Sequence, residues 1–199
     1  MTRAENNAPH AQRVLVGGLG HAELLARLAR AGVFLNAHAE TLLAAATLDG
    51  TSVPEAISVE QRSVRELGLP KGGTLRAIYE RANTDGLTLC PPITAAHLRL
   101  AIRGQASAPD SVLSAGRAPS ESLTVAAPRL RDDDDFPAGF YLRVVDGHPW
   151  LRGYRCDDKH VWSADDKFVF RTVNDACRNH QTALRTRRGE SFCGSSGLR

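Results

Sequence analysis

The sequence predicts an α+β fold, with a helical N-terminal half and a C-terminal antiparallel β-meander against which one helix packs. Apolar residues recur at helical spacing across residues 21–103, whereas residues 139–171 alternate between apolar and polar side chains. Residues 104–120 are rich in Ala, Ser, Gly and Pro and lack periodicity. The expected organisation is therefore a flexible segment over 1–20, a helical domain over 21–103, a linker over 104–120, a meander plus helix over 121–185 and a flexible tail over 186–199.

The composition is that of an ordinary globular chain. Of its 199 residues, 42% are hydrophobic, which is enough for a core, and the formal net charge of +3 is only mildly basic. No apolar run approaches the roughly 20 residues of a membrane span, and the polar first residues contain no hydrophobic signal segment. We therefore expect a cytoplasmic protein with no membrane partner and no cofactor.

Two helices joined by a short loop are expected at the start of the helical half. Leu24 and Leu28 belong to one apolar stripe, and Gly32 follows it as a residue suited to the left-handed conformation that ends helices. Asn36 is the expected N-cap of the second helix, because its side chain can accept a hydrogen bond from the first turn. The apolar loop over 33–35 is expected to be buried.

Two further helices are predicted over residues 59–67 and 74–82, and a last one is favoured over 95–103. Ser58 is the expected cap of the first of these helices and Gly68 its end. In the second, Leu75, Ile78 and Tyr79 recur at helical spacing, which indicates one buried face.

The segment from Val59 to Ile78 resembles the helix-turn-helix of bacterial transcription regulators. Gly68, Leu69 and Thr74 match the closing glycine, the apolar residue and the start of the recognition helix, whereas Val64 replaces a small residue and the pair at 72–73 lengthens the turn. The competing interpretation is two core helices joined by a glycine turn. The resemblance implies nucleic-acid binding by the basic side chains of Arg65, Lys71, Arg76 and Arg81.

The dipeptide Asp146-Gly147 predicts a β-hairpin, because both central positions of the favoured two-residue turn need a positive φ. This turn fixes the register so that Arg143 lies opposite Trp150 and Tyr141 opposite Arg152. We expect the apolar face of Phe140, Leu142, Val144 and Leu151 to enter the core. The other face carries Tyr141, Arg143, His148, Trp150, Arg152 and Tyr154.

The second face of the hairpin is the leading candidate ligand-binding site. Its residues Tyr141, Arg143, Trp150, Arg152 and Tyr154 are of types over-represented at binding hot spots. Cation–π stacking of Arg143 on Trp150 and of Arg152 on Tyr141 would pre-order such a surface. The predicted function is a non-catalytic binding or interaction module for a protein or small ligand. The alternative is that a helix over 176–185 covers this face and its aromatic residues belong to the core.

Two Cys-His pairs, Cys156 with His160 and Cys177 with His180, offer the ligand types of a zinc site. The first pair brackets a turn and the second lies on one helix face, so we predict that they do not converge and that no metal binds. The aspartates over 132–135 fit turn positions that favour Asp. A hydrolase with an unrecognised site is the remaining alternative.

Residues 136–143 read Phe-Pro-Ala-Gly-Phe-Tyr-Leu-Arg and residues 150–162 read Trp-Leu-Arg-Gly-Tyr-Arg-Cys-Asp-Asp-Lys-His-Val-Trp. With these segments, the region 122–171 resembles a family of small uncharacterised bacterial proteins, some of which carry a helicase label. A helicase motor needs a phosphate-cradling Gly-x-x-x-x-Gly-Lys-Ser/Thr loop, and Pro-Lys-Gly-Gly-Thr at 70–74 is not one. The resemblance therefore implies no role for any single residue.

Overall fold

The computed structural model describes residues 11–47, 53–102, 104–108, 119 and 121–172. Within these ranges, ten β-strands and four short helices form, and a large curled mixed sheet dominates. The predicted helical N-terminal half with a separate C-terminal meander is therefore wrong. The predicted terminal helix after Thr172 lies outside the described residues.

The helices are α1 (His21–Arg30), α2 (Ala37–Ala46), α3 (Leu75–Thr84) and α4 (Thr94–Ala101). In the N-terminal half the strands are β1 (Gln12–Val16), β2 (Phe34–Leu35), β3 (Glu55–Ser63), β4 (Gly73–Thr74) and β5 (Leu87–Thr88). In the C-terminal half they are β6 (Leu123–Val125), β7 (Gly139–Val145), β8 (His148–Tyr154), β9 (Val161–Trp162) and β10 (Lys167–Thr172).

The main sheet has the strand order β1-β3-β10-β6-β7-β8-β2, and β5 also pairs with β10. It is mixed, because β10 runs parallel to β6 and β2 runs parallel to β8, while the other pairs are antiparallel. The pairing of β3 with β10 joins strands from both halves of the sequence in one sheet. Strands β4 and β9 form a separate two-stranded ladder.

The predicted third helix, over 59–67, is instead the second half of β3 followed by a turn. Ile57 and Val59 are buried in the core, and polar Ser58 lies between them, which is the two-residue period of a strand. Pairing with β1 on one side and β10 on the other decides the conformation, since long-range packing overrides weak local preference. The helix-turn-helix arrangement therefore does not form.

The other predicted helices form close to their expected positions. The backbone of Gly32 has a φ of +68° just after α1, and the Asn36 side chain accepts a hydrogen bond from the Ala39 N–H at 3.0 Å to cap α2. The Thr74 hydroxyl caps α3 in the same way through the Ala77 N–H. The loop between α1 and α2 contains β2, where Phe34 is 46% exposed, so the expected burial of this loop is wrong at that residue.

The hairpin of β7 and β8 has the predicted register throughout. Asp146 and Gly147 have φ angles of +50° and +77°, and Val145 pairs with His148 across the turn. The Arg143–Trp150 and Tyr141–Arg152 pairs follow from that turn and are confirmed. A local signal of two residues thus sets the register of the longest hairpin in the described chain.

Helices α1, α2 and α4 cover one face of the sheet, where the main core includes Leu24, Leu42, Leu98, Phe140 and Leu151. A smaller core on the other face joins α3 and the β4–β9 ladder to β10 and includes Ile78, Trp162, Phe168 and Phe170. The two cores are separated by alternation along β10, because Val169 belongs to the first and its two neighbours to the second. Tyr141, Trp150 and Tyr154 of the hairpin lie on the second face, whereas Phe140 enters the main core.

The start of the predicted linker lies against the sheet. The Ala108 N–H donates to the Val144 carbonyl at 3.1 Å, and the Gln105 side chain donates to the carbonyls of Glu121 and Leu142 at 2.9 and 3.1 Å. Residues 104–108 therefore follow β7 at the end that β6 leaves uncovered. Residues 109–118 and 120 of the predicted linker lie outside the described chain.

Candidate functional site

The five predicted ligand-binding residues lie on two adjacent strands of the sheet. Tyr141 and Arg143 come from β7, and Trp150, Arg152 and Tyr154 come from β8. Alternation along each strand directs all five away from the face that α1, α2 and α4 cover. The structure therefore brings the predicted residues together on one surface, although it buries them to different depths.

Trp150 is the centre of an aromatic cluster at the edge of the sheet. The Phe34 ring, on the edge strand β2, stacks on Trp150 with 5.1 Å between ring centroids and 28° between planes. The His148 ring meets Phe34 edge-on at 5.2 Å. Because β2 pairs with β8 through Phe34 and Trp150, backbone hydrogen bonding holds these rings in place.

The guanidinium that stacks on Trp150 belongs to Arg152, at 4.3 Å from the ring centroid. The sequence pattern paired Trp150 with Arg143, its cross-strand neighbour, and paired Arg152 with Tyr141. The observed contact instead joins residues two apart on one strand, whose side chains leave the same face. A cation–π contact of this kind contributes about 0.5–1 kcal/mol at an exposed site.

Arg143 and Tyr154 lie deeper than the other three predicted residues. Arg143 is only 2% exposed, and Tyr154 packs edge-on against Trp162 at 5.4 Å. Burial raises the pKa of Tyr154 well above its ordinary value, so its phenol stays neutral. Of the predicted residues, Tyr141, Trp150 and Arg152 stay partly open to a partner. Together with exposed Phe34 and His148 they form what we call the aromatic–arginine surface.

Phe34 is the member of this surface that the sequence pattern missed. It lies in an apolar loop between two predicted helices, and nothing local indicates that the loop joins a sheet. Its partner strand β8 is more than 110 residues away in the chain, so the contact depends on tertiary pairing. The available signal is the apolar character of the three-residue loop 33–35, which predicts burial rather than strand pairing.

Arg152 differs from many other arginines because no carboxylate among the described residues pairs with it. Arg27, Arg76 and Arg129 form ion pairs with carboxylates at 2.9–3.7 Å, and Arg155 pairs with Asp135. Within the described ranges, no hydrogen bond or ion pair holds the Arg152 guanidinium, and its Nε is buried without a partner. Its charge is therefore available to a group from outside the chain.

The four predicted nucleic-acid contacts do not form a basic surface on a helix pair. Arg65 pairs with Asp165 and Arg76 with Glu80, both at 2.9 Å, while the Arg81 Nε donates to the Leu67 carbonyl at 2.9 Å. Lys71 is exposed in the turn before β4. Two of the four charges are thus compensated locally, on a turn and on α3.

The predicted metal ligands fall partly outside the described residues, because Cys177 and His180 lie beyond residue 172. Among the residues that the structure describes, no group of three or more His, Cys, Asp and Glu could hold a metal ion. The aspartates near Cys156 are engaged by arginines: Arg129 contacts Asp134 and Asp158 at 3.7 and 3.4 Å. These contacts make the acidic loop part of an ion-pair network.

No family model, curated protein or solved structure matches this chain. The resemblance to the helicase-labelled family therefore stays a prediction, whereas strand β3 occupies the place of the first helix in the helix-turn-helix resemblance. In the described part of the chain, none of the helices has the length and apolarity to cross a membrane.

Proposed function

We propose that this chain is a non-catalytic binding module that recognises a carboxylate-bearing segment of a protein partner through the aromatic–arginine surface. The single observation that supports the proposal is the position of the Arg152 guanidinium. It lies over the Trp150 ring at 4.3 Å and has no carboxylate partner among the described residues. An arginine held in this way offers an oriented fork of N–H donors to an incoming carboxylate.

The shape of the surface favours a protein segment over a small molecule. The aromatic–arginine surface is an open patch at the edge of the sheet, and Phe34 exposes 46% of its area there. Small-molecule sites are usually concave and cover most of their ligand. Hot spots of protein interfaces are instead rich in Trp, Tyr and Arg and lie within a broader contact surface. None of the other described strands pairs with the outer edge of β2, and such an edge can accept an extended peptide.

The charge of the surface favours an acidic segment. Arg152 supplies a full positive charge, and exposed His148 adds a second group that can donate a hydrogen bond. The exposed aspartates on either side of Arg152 in the sequence, Asp146 and Asp157, form no ion pair with it. We make no second proposal for nucleic acid or hydrolysis, because no contact among the described residues favours either.

The experiment is a selection from a random-peptide display library against the immobilised chain. The expected result is enrichment of peptides that contain Asp or Glu beside apolar residues. Because truncation of a hot-spot residue typically costs at least about 2 kcal/mol, Arg152→Gln and Trp150→Ala should each weaken the selected peptides about thirtyfold. Arg13→Gln is the matched control, since Arg13 is an exposed arginine on the opposite edge strand.

Two outcomes would overturn the proposal. One is a selection whose peptides bind wild type, Arg152→Gln and Arg13→Gln equally, because the surface would then play no part. The other is tight retention of duplex DNA at low salt that Arg152→Gln abolishes and that falls steeply with ionic strength, as counterion release requires. The second result would assign the same arginine to phosphate recognition.

A further inference from the structure

A cavity of about 590 Å³ lies on the side of the hairpin opposite the aromatic–arginine surface. It is enclosed by the C-terminal ends of α1 and α4, the turn between β7 and β8 and the segment 104–108. Its volume falls within the range of about 300–1,000 Å³ that is typical of small-ligand sites. Residues that line it include Arg30, Val33, Arg99, Gln105, Val144 and Pro149.

Arg99 is the most unusual residue of this cavity, because it is a cation with only 3% of its surface exposed. Its Nη1 donates to the Gln105 Oε1 at 2.7 Å and its Nη2 to the Ile102 carbonyl at 2.6 Å, while its Nε is buried without a partner. Both partners are neutral, and burial lowers the pKa of the guanidinium. A buried charge without a counterion is costly, and an anion in the cavity would offset that cost.

A second guanidinium and apolar walls complete the cavity. Arg30, in the last turn of α1, is exposed and lines the same space, and no acidic residue is among the described residues that line it. Val33, Leu100 and Pro149 supply carbon surface around the two cations. Such a site is complementary to a ligand with a negative head and an apolar body.

We propose that this cavity binds a small organic oxyanion, with Arg99 holding the anionic head from inside and Arg30 closing on it from the solvent side. The two hydrogen bonds to Gln105 and Ile102 use two of the five N–H donors of Arg99, which leaves others for an oxyanion. Carboxylates and phosphates share the chemistry that an arginine fork recognises. The site is separate from the aromatic–arginine surface and does not depend on the function proposed for it.

The test measures the melting temperature and binding isotherms of the full chain with two sets of anions at constant ionic strength. One set is acetate, succinate and citrate, the other is inorganic phosphate and sulfate, and chloride is the reference. At least one set should raise the melting temperature above the value measured in chloride. The set that does so identifies the head group of the ligand. Arg99→Lys retains the charge but loses the planar fork, so it should weaken that anion about tenfold or more.

Arg30→Gln is the variant that cannot be confused with misfolding, because Arg30 is exposed and its loss removes no described hydrogen bond. It should weaken, by about tenfold, binding of the anion that raises the melting temperature, as loss of one charge-assisted hydrogen bond implies. Arg13→Gln is its matched control and should leave binding unchanged, as should Trp150→Ala. The proposal is overturned if no anion raises the melting temperature more than chloride does. It is also overturned if Arg30→Gln and Arg13→Gln change the affinity for the anion equally.

Discussion

Asn36 hydrogen-bonds both backbone groups of Gly153, across 117 residues of sequence. Its Nδ2 donates to the Gly153 carbonyl at 3.0 Å, and its Oδ1 accepts from the Gly153 N–H at 2.8 Å. The same Oδ1 accepts from the Ala39 N–H, so one side chain caps α2 and extends the pairing of β2 with β8. Asn36 therefore links helix α2 to β8, the strand that carries Trp150 and Arg152.

Replacement of Asn36 by Ala should lower the free energy of unfolding by about 3 kcal/mol. The loss of the N-cap contributes about 1 kcal/mol, and each hydrogen bond to Gly153 contributes about 1 kcal/mol more. Urea unfolding followed by tryptophan fluorescence measures the change. Asn36→Asp retains both acceptor contacts and should cost less than Asn36→Ala, and equal costs would contradict the role assigned to the side chain.

Gly153→Ala tests the close approach of α2 to the sheet. A Cβ at Gly153 would lie 2.6 Å from the carbonyl carbon of His38 and 2.8 Å from the Ala39 nitrogen, which are backbone atoms that cannot rotate away. We expect a loss of about 2 kcal/mol or more in the free energy of unfolding, as for overpacked cores. Gly104→Ala is the control, because nothing lies within 4 Å of a Cβ there, and it should change stability by less than about 0.5 kcal/mol.

Cys90 should resist thiol reagents in the native state. Its side chain is 1% exposed, and burial raises the pKa of its thiol to about 12, so only about one molecule in ten thousand is a thiolate near pH 8. Of the two described cysteines, half-buried Cys156 should react first in a timed alkylation followed by peptide mass mapping. Cys90 should become reactive in parallel with global unfolding in urea, and labelling as fast as that of Cys156 in buffer would contradict this prediction.

The predictions from sequence were accurate where the signal was local. The register of the hairpin follows from Asp146-Gly147, and the cap at Asn36 follows from a side chain that bonds to its own helix. Each of these features is decided within about four residues. They identified the strands that carry the candidate site and the order of its residues across the hairpin.

The fold class was wrong because it depended on pairings between distant strands. Residues 59–63 contain too few apolar positions to distinguish a strand from a helix. Their conformation depends on pairing with β1, more than 40 residues earlier in the chain, and with β10, more than 100 residues later. The burial of Arg143 and the stacking of Phe34 on Trp150 have the same origin. The sequence could place residues on a face, but it could not show which part of the face stays open.

The buried histidine His97 makes stability depend on pH. Its Nε2 accepts a hydrogen bond from the Gly17 N–H at 3.2 Å, and this bond requires the neutral ring. Burial, and secondarily the charge of Arg27, lower the pKa of His97 below its ordinary value near 6.5. Because the folded state binds the proton less readily than the unfolded state, the contribution is complete above about pH 6.5 and is lost as the pH falls through the lower folded-state pKa.

The free energy of unfolding should therefore fall below pH 6.5 by up to about 1.4 kcal/mol per pH unit for this one proton. His97→Gln retains an acceptor for the Gly17 N–H and has no proton to bind, so its stability should vary less over the same range. Urea unfolding at half-unit steps between pH 7 and 4.5 gives both profiles, with His148→Gln as the control for removal of a histidine. Identical profiles for wild type and His97→Gln would contradict this prediction, because they would show that protonation of His97 contributes nothing to the loss of stability over this pH range.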